Sequence, residues 1–185
     1  MRTFLAVDID EAARRAIELA RRQLDPPPAA LRWVESDNLH VTLNFLGEIG
    51  DEMLHEVCDL VSEVAADHDP FDFTVGGITL EPRHKPHMFW VGVGDASGAM
   101  AALQRDVTSA LAGAGFRAET RTFRPHLTLA RLKFVRHPHE LVNHVSPFAE
   151  TIFGACHADC VSVYTSELSS EGSKYTAIAR APLGG

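Results

Sequence analysis

Apolar positions along the chain recur with two periods, and each change of period marks an element. Residues 3–9 alternate and predict a strand. Asp10 stands at a helix N-cap, and Ala13, Ile17, Ala20 and Leu24 then share one helical face. Pro26, Pro27 and Pro28 end that helix. Residues 31–34 read as a short extended piece, and residues 39–46 as a strand closed by Gly47. Asp51 opens a second amphipathic helix that buries Leu54, Val57, Cys58, Val61 and Ala65. Residues 71–80 and 87–93 alternate as an antiparallel pair joined by a proline-flanked loop over 81–86. A third helix over 97–114 turns Met100, Leu103, Val107, Leu111 and Ala114 inward. Residues 116–122 read as extended, residues 126–131 as a strand after Pro125, and 140–144 as a short helix. Residues 160–168 and 175–182 form a closing hairpin around Glu171 and Gly172.

Two of these strands carry nearly the same tetrapeptide: His40-Val41-Thr42-Leu43 and His126-Leu127-Thr128-Leu129. In a strand, side chains alternate faces, so His40 and Thr42 share one face and Val41 and Leu43 the other. His126 and Thr128 oppose Leu127 and Leu129 in the same way. The aliphatic face suits a core and the His/Thr face suits a cleft. A single copy is no more than a half-exposed strand histidine; two matched copies, 86 residues apart, are not a chance pattern. Each half of the chain carries an amphipathic helix, a connector, a motif strand and a following helix. This imperfect duplication predicts two lobes related by a pseudo-twofold, within one domain over 1–185, each giving a motif strand to a central cleft.

Charge and composition narrow the chemistry. The net charge of −8 argues against a long nonspecific nucleic-acid groove. Between Gly115 and Glu140, however, Arg117, Arg121, Arg124, Arg131, Lys133 and Arg136 face only Glu119 and Glu140. That local excess surrounds the second motif and suits a small anionic group or a strand end. Three cysteines, Cys58, Cys156 and Cys160, are too few and too odd for a disulfide framework, and read as free thiols. Cys156-Ala-His157-Ala-Asp-Cys160 supplies too few ligands at the usual spacing for a metal, and His137, His139 and His144 lack a carboxylate cluster. His84 and His87 flank a proline loop and read as exposed. Trp33, Phe45 and Trp90 read first as core aromatics, with a cleft role for one of them as the alternative. No apolar run is long enough to span a membrane, and acidic residues arrive too early for a signal peptide; the expectation is a cytoplasmic monomer.

Two facing imidazoles suit a phosphodiester whose nucleophile must lose a proton and whose leaving oxygen must gain one. The threonines can donate to non-bridging oxygens, and Arg131 or Arg124 can add positive charge. No metal or cofactor is needed in this scheme.

Asn38-Leu-His40-Val-Thr42-Leu-Asn-Phe-Leu-Gly47 and Arg124-Pro-His126-Leu-Thr128-Leu-Ala-Arg131 resemble the paired signatures of the 2H phosphoesterases. Within these the match is to the bacterial and archaeal RNA 2′,3′-cyclic phosphodiesterases, historically called 2′-5′ RNA ligases. Weaker likenesses are the start from Arg2 to Asp8, Arg32-Trp33-Val34, Gly76-Gly77, and Ser166-Glu-Leu with Gly172 and Tyr175. The resemblance implies a bilobal α+β fold, two antiparallel sheets flanking a cleft with helices outside. It implies hydrolysis of terminal 2′,3′-cyclic phosphates on RNA ends or oligonucleotides to 2′-phosphomonoesters, with His40 as proton donor and His126 as acceptor. The reverse reaction would make a 2′-5′ linkage. By the residues alone the two roles are interchangeable. Asn44 stands where relatives often have a basic residue, on the His40/Thr42 face, and is a candidate for substrate contact with Phe45 and Arg124. Arg131 matches the arginine that follows the second motif. Strict alternation puts it on the buried face, so the strand must twist or end before it. The competing readings are a 2H enzyme for another small substrate, such as a 2′-5′ oligonucleotide or a nucleoside cyclic phosphate, and a nucleotide-binding module without turnover.

Overall fold

A computed structural model describes residues 1–24, 30–82, 84–117, 121–134, 138–168 and 173–184. The proline stop at 26–28, Glu119, Arg136, His137 and the turn at Glu171 and Gly172 lie outside the described residues.

The alternating segment at the N-terminus is β1 (Arg2–Asp8), followed by α1 (Glu11–Gln23), β2 (Ala30–Trp33) and the first motif strand β3 (His40–Glu48). Then come α2 (Asp51–Ala66), β4 (Phe71–Glu81), β5 (Met88–Gly94) and α3 (Ala99–Gly113). The second half holds the motif strand β6 (His126–Phe134), α4 (Pro138–Val145), β7 (Ile152–Ala158), β8 (Cys160–Leu168) and β9 (Ser173–Pro182).

The three long helices bury their expected stripes except at Cys58 and Ala114, which are half-buried. Ala13, Ile17 and Ala20 of α1, Leu54, Val57, Val61 and Ala65 of α2, and Met100, Leu103, Val107 and Leu111 of α3 are all buried. Asp10 sits at the N-cap of α1 but its side chain makes no capping bond; its Oδ1 instead accepts the backbone N–H of His157 at 3.4 Å. Phe116 is buried, yet the described residues between 116 and 122 form no strand. β7 has no counterpart among the elements predicted from the sequence. Its Gly154 and alanines have low strand propensity, and it is held as a strand by antiparallel pairing along β4.

The strands form two antiparallel sheets, ordered β3-β1-β8-β9 and β2-β6-β5-β4-β7. The lobes are therefore not the two halves of the chain. β8 and β9 return to the sheet of β1 and β3, while β2 crosses to the sheet of β6. α2 packs on β8 and β9 and α3 on β3; α1 packs on β7 and α4 on β4, which leaves the facing sides of the sheets open to one another. One continuous hydrophobic core runs through both layers, from Leu5, Val41 and Leu43 to Phe89, Leu127 and Leu129. β3 and β6 meet between the sheets.

Candidate active site

Both motif strands break their alternation at the same residue. Along β1, Ala6 pairs with Thr42 and Leu5 with Asn44, so Leu43 is skipped. Along β5, Trp90 pairs with Thr128 and Phe89 with Ala130, so Leu129 is skipped. Each skip is a β-bulge, which places two residues opposite one and re-aims the side chains beyond it. Two successive residues then turn inward: Leu43 and Asn44 are 4% and 6% exposed, Leu129 and Ala130 1% and 0%. The next residue returns to the cleft, which puts Phe45 and Arg131 in equivalent places.

This resolves the problem of Arg131, which lines the cleft because of the bulge. It also corrects the expectation for Asn44. That side chain points away from the cleft, and its Nδ2 donates to Thr108 Oγ1 of α3 at 2.7 Å.

The cleft is a cavity of about 700 Å³ lined from both sheets. His40, Thr42 and Phe45 come from β3, and Thr128 and Arg131 from β6. Arg2 and Phe4 on β1, Arg21 on α1, Arg32 and Trp33 on β2, and Tyr175 on β9 complete most of the wall. Four arginines thus face one acid, Glu35, on a protein of net charge −8. Sequence reasoning missed Arg2, Arg21 and Arg32 as lining residues. They are scattered along the chain, and only the sheet order brings them to one wall.

Of the three aromatics read first as core residues, Phe45 and Trp33 line the cavity, Trp33 also packing against the core, and Trp90 lies beside His126. Phe45 is 65% exposed. Trp33 borders the cavity with the Arg21 guanidinium 5.3 Å from its ring. Trp90 lies flat on His126, the ring centroids 3.5 Å apart.

The two histidines are held alike. His40 Nδ1 is 2.7 Å from the carbonyl oxygen of Asn38, and His126 Nδ1 is 2.7 Å from that of Arg124. A carbonyl oxygen only accepts, so each Nδ1 carries a hydrogen and each Nε2 is the working nitrogen. His40 Nε2 lies 3.0 Å from Thr42 Oγ1. His126 shares its strand face with Thr128 and is close enough for its charge to act on His40. Burial holds both imidazoles below the ordinary value near 6.5. The carbonyl bond opposes this in each case. Beyond that the surroundings differ. Asp8, the cross-strand partner of His40, favours its charged form against Arg14 and His126. Arg124 disfavours the charged form of His126, with Glu81 opposing it.

Arg124 does not line the cavity; it pairs with Glu81 at 3.2 Å beside the Trp90 ring. The remaining candidates lie elsewhere. His84 and His87 are exposed. Cys58, Cys156 and Cys160 are free thiols, and His157 pairs with Asp72 at 2.7 Å. His144 Nε2 lies 2.7 Å from the carbonyl oxygen of Leu24, which ties α4 to the end of α1. Among the described residues no three His, Cys, Asp or Glu side chains gather as a metal site, and no helix is long and apolar enough to cross a membrane.

The family model of the 2′-5′ RNA ligase superfamily matches residues 9–162. An RNA 2′,3′-cyclic phosphodiesterase of Methanothermobacter thermautotrophicus is 31% identical over 177 residues, 95% of each chain. One from Archaeoglobus fulgidus is 32% identical, covering 95% of this chain and 96% of its own. Among solved structures, the Thermus thermophilus protein TT0787 superposes with a TM-score of 0.83 at 25% identity, over 100% of this chain and 99% of that one. E. coli LigT complexed with 3′-AMP superposes at 0.81 with 26% identity, over 98% and 97%.

Proposed function

The chain belongs to the 2′-5′ RNA ligase superfamily, and on that premise we propose that it hydrolyses the 2′,3′-cyclic phosphate of RNA ends or nucleotides to a 2′-phosphomonoester, with His40 and His126 as acid and base. The observation that carries this reading is the matched pair of histidines, each with Nδ1 anchored to a carbonyl so that Nε2 is left for the reaction, on equivalent bulged strands; His40 lines the arginine-rich cavity, and the strand of His126 reaches it through Thr128 and Arg131.

His126 Nε2 takes a proton from water as its oxygen attacks phosphorus. The bond from phosphorus to the 3′ oxygen breaks, and that oxygen takes the proton of His40 Nε2. Solvent then returns both histidines to their starting states. Two features favour this division over its reverse. Asp8 supports a charged His40, whereas Arg124 supports a neutral His126. Neutral His40 accepts the Thr42 hydroxyl at Nε2; once protonated it can no longer accept, so Nε2–H is free to meet the 3′ oxygen and the hydroxyl hydrogen is released toward a phosphate oxygen. Thr42 and Thr128 thereby donate to the two non-bridging oxygens, where charge builds in the transition state. Arg131 neutralises the phosphate, and Phe45 offers an exposed ring face for a base. Proton transfer and charge stabilisation are supplied by side chains throughout.

The test is turnover of a 2′,3′-cyclic nucleotide and of a cyclic-phosphate oligonucleotide, with the product read by phosphorus NMR in excess EDTA. A 2′-monophosphate is expected. A 3′-monophosphate, or activity lost to EDTA and restored by a divalent ion, would sink the reading. Activity confined to 2′-5′ oligonucleotides would move the protein to the other small-substrate branch of the 2H enzymes.

A further inference from the structure

Among the described residues, Trp90 covers His126 more closely than any ring covers His40. The planes of Trp90 and His126 are 13° apart at a centroid separation of 3.5 Å, whereas Phe4 lies on His40 at 4.8 Å and 25°. The register of β5 on β6 places Trp90 opposite Thr128, beside His126. Its Nε1 is buried and, among the described residues, has no hydrogen-bond partner. The contact this position provides is therefore the face of the indole, not its N–H.

The face of an indole carries negative potential from its π-electrons. Against a neutral imidazole the stack is dispersion alone. Against an imidazolium it gains cation–π attraction. His126, as the base of the reaction, becomes charged only as it takes the proton of the attacking water. The attraction is thus stronger in the transition state than in the ground state, which is the condition for accelerating a step. The other charged groups facing His126 act whether or not it is charged at the start of the step: Arg124 disfavours the imidazolium, and Glu81 from β4 favours it while also paired with Arg124 at 3.2 Å. In the proposed mechanism His40 enters the step as a cation and so adds no attraction.

We propose that Trp90 is a positioning residue for the reaction: it fixes the ring of His126 with Nε2 toward the reacting water and stabilises the imidazolium as it forms. The inference rests on the assignment of His126 as the base, and the experiment separates the two.

The chain has two tryptophans, so Trp33→Phe leaves Trp90 as the sole site for mono-, di- and trifluorinated tryptophan. Fluorine drains the ring face while nearly preserving its shape. With Trp33→Phe as reference, kcat should fall stepwise, by about fivefold across the series. The midpoint of His126, followed by nitrogen NMR, should fall in step, and the acid limb of the kcat/KM profile should move down with it while the alkaline limb stays. A purely structural Trp90 would move none of these. If kcat and the His126 midpoint are the same across the series, the inference is overturned. If the midpoint follows fluorination but the alkaline limb moves, the ring contact with the imidazolium stands, but the assignment of His126 as base fails and the rate role of Trp90 fails with it.

Discussion

Nδ1 of each motif histidine is bonded to a carbonyl two residues earlier, which leaves both imidazoles able to work through Nε2. Replacing either by Ala should lower kcat by about 10²–10⁴, and the double variant should lose far less than the product, because the residues act as a unit. Near-normal turnover in His40→Ala would end the two-histidine mechanism. The pH profile is set by the direction of the shifts. Both groups titrate below 6.5 in the free protein, so the kcat/KM bell should centre on the acid side of that value. A bound phosphate anion favours both charged forms, so the kcat bell should lie at higher pH. Rates measured from pH 4.5 to 8.5 check this, and a kcat bell at or below the kcat/KM bell contradicts it. Thr128→Val should lower the bell without moving it, since Thr128 donates without titrating; Thr42→Val should lower it and also move the His40 limb, because its hydroxyl meets His40 Nε2 at 3.0 Å. Burial of His40 also has a cost in stability. Below 6.5 the unfolded chain takes a proton that the folded chain resists, so stability should fall as pH drops from there toward the lowered midpoint. Denaturant midpoints should show a shallower acid slope in His40→Gln.

The paired bulges are the decisive feature of the elements. They move Asn44 out of the substrate path and into a hydrogen bond with α3, so Asn44→Ala should destabilise the fold by about 1–3 kcal/mol. Its kcat should stay near that of the parent; a large loss of kcat with an unchanged melting temperature would place Asn44 back in the site. The strand that carries Trp90 is equally constrained. Gly92 pairs with His126, and a Cβ there would lie 2.8 Å from the carbonyl oxygen of Gly76. Gly92→Ala must push β4 and β5 apart, at about 1–3 kcal/mol, and should lower kcat by shifting His126. Gly113→Ala, where a Cβ meets nothing within 4 Å, is the control and should be neutral or stabilising by up to about 1 kcal/mol. Thermal melts with steady-state rates distinguish the two.

Across the whole molecule, the charge is arranged against its own average. Arg2, Arg21, Arg32 and Arg131 gather at one cavity of a protein whose net charge is −8. Attraction for an anionic RNA end is thus local, and the rest of the surface repels extended polyanions. Raising salt from 50 to 500 mM should increase KM for an oligonucleotide several-fold through screening, with little change in kcat. Arg32→Ala should flatten that dependence. A KM insensitive to both would mean that the arginines do not meet the substrate.

The sequence by itself determined whatever depends on local period and residue type. The helical stripes of α1, α2 and α3, the two motif strands and the His/Thr face were legible because 3.6- and 2-residue periods are written in consecutive residues. The proposed chemistry was suggested by the repetition of imidazole and hydroxyl at that spacing, since a single copy carries no such signal, and by the family resemblance of the two motifs. Tertiary structure decided what depends on neighbours. β7 is a strand because β4 offers it a partner, and Asp10 does not cap because His157 claims its carboxylate. A bulge is set by cross-strand pairing, so Asn44 and Arg131 changed faces, and Phe45 took the cleft position that alternation had given to Asn44. The asymmetry between two histidines with the same local sequence lies in Asp8 on one side and Arg124 with Trp90 on the other. Asp8 and Trp90 reach them only across a sheet, and that is where two nearly identical motifs acquire different electrostatic surroundings.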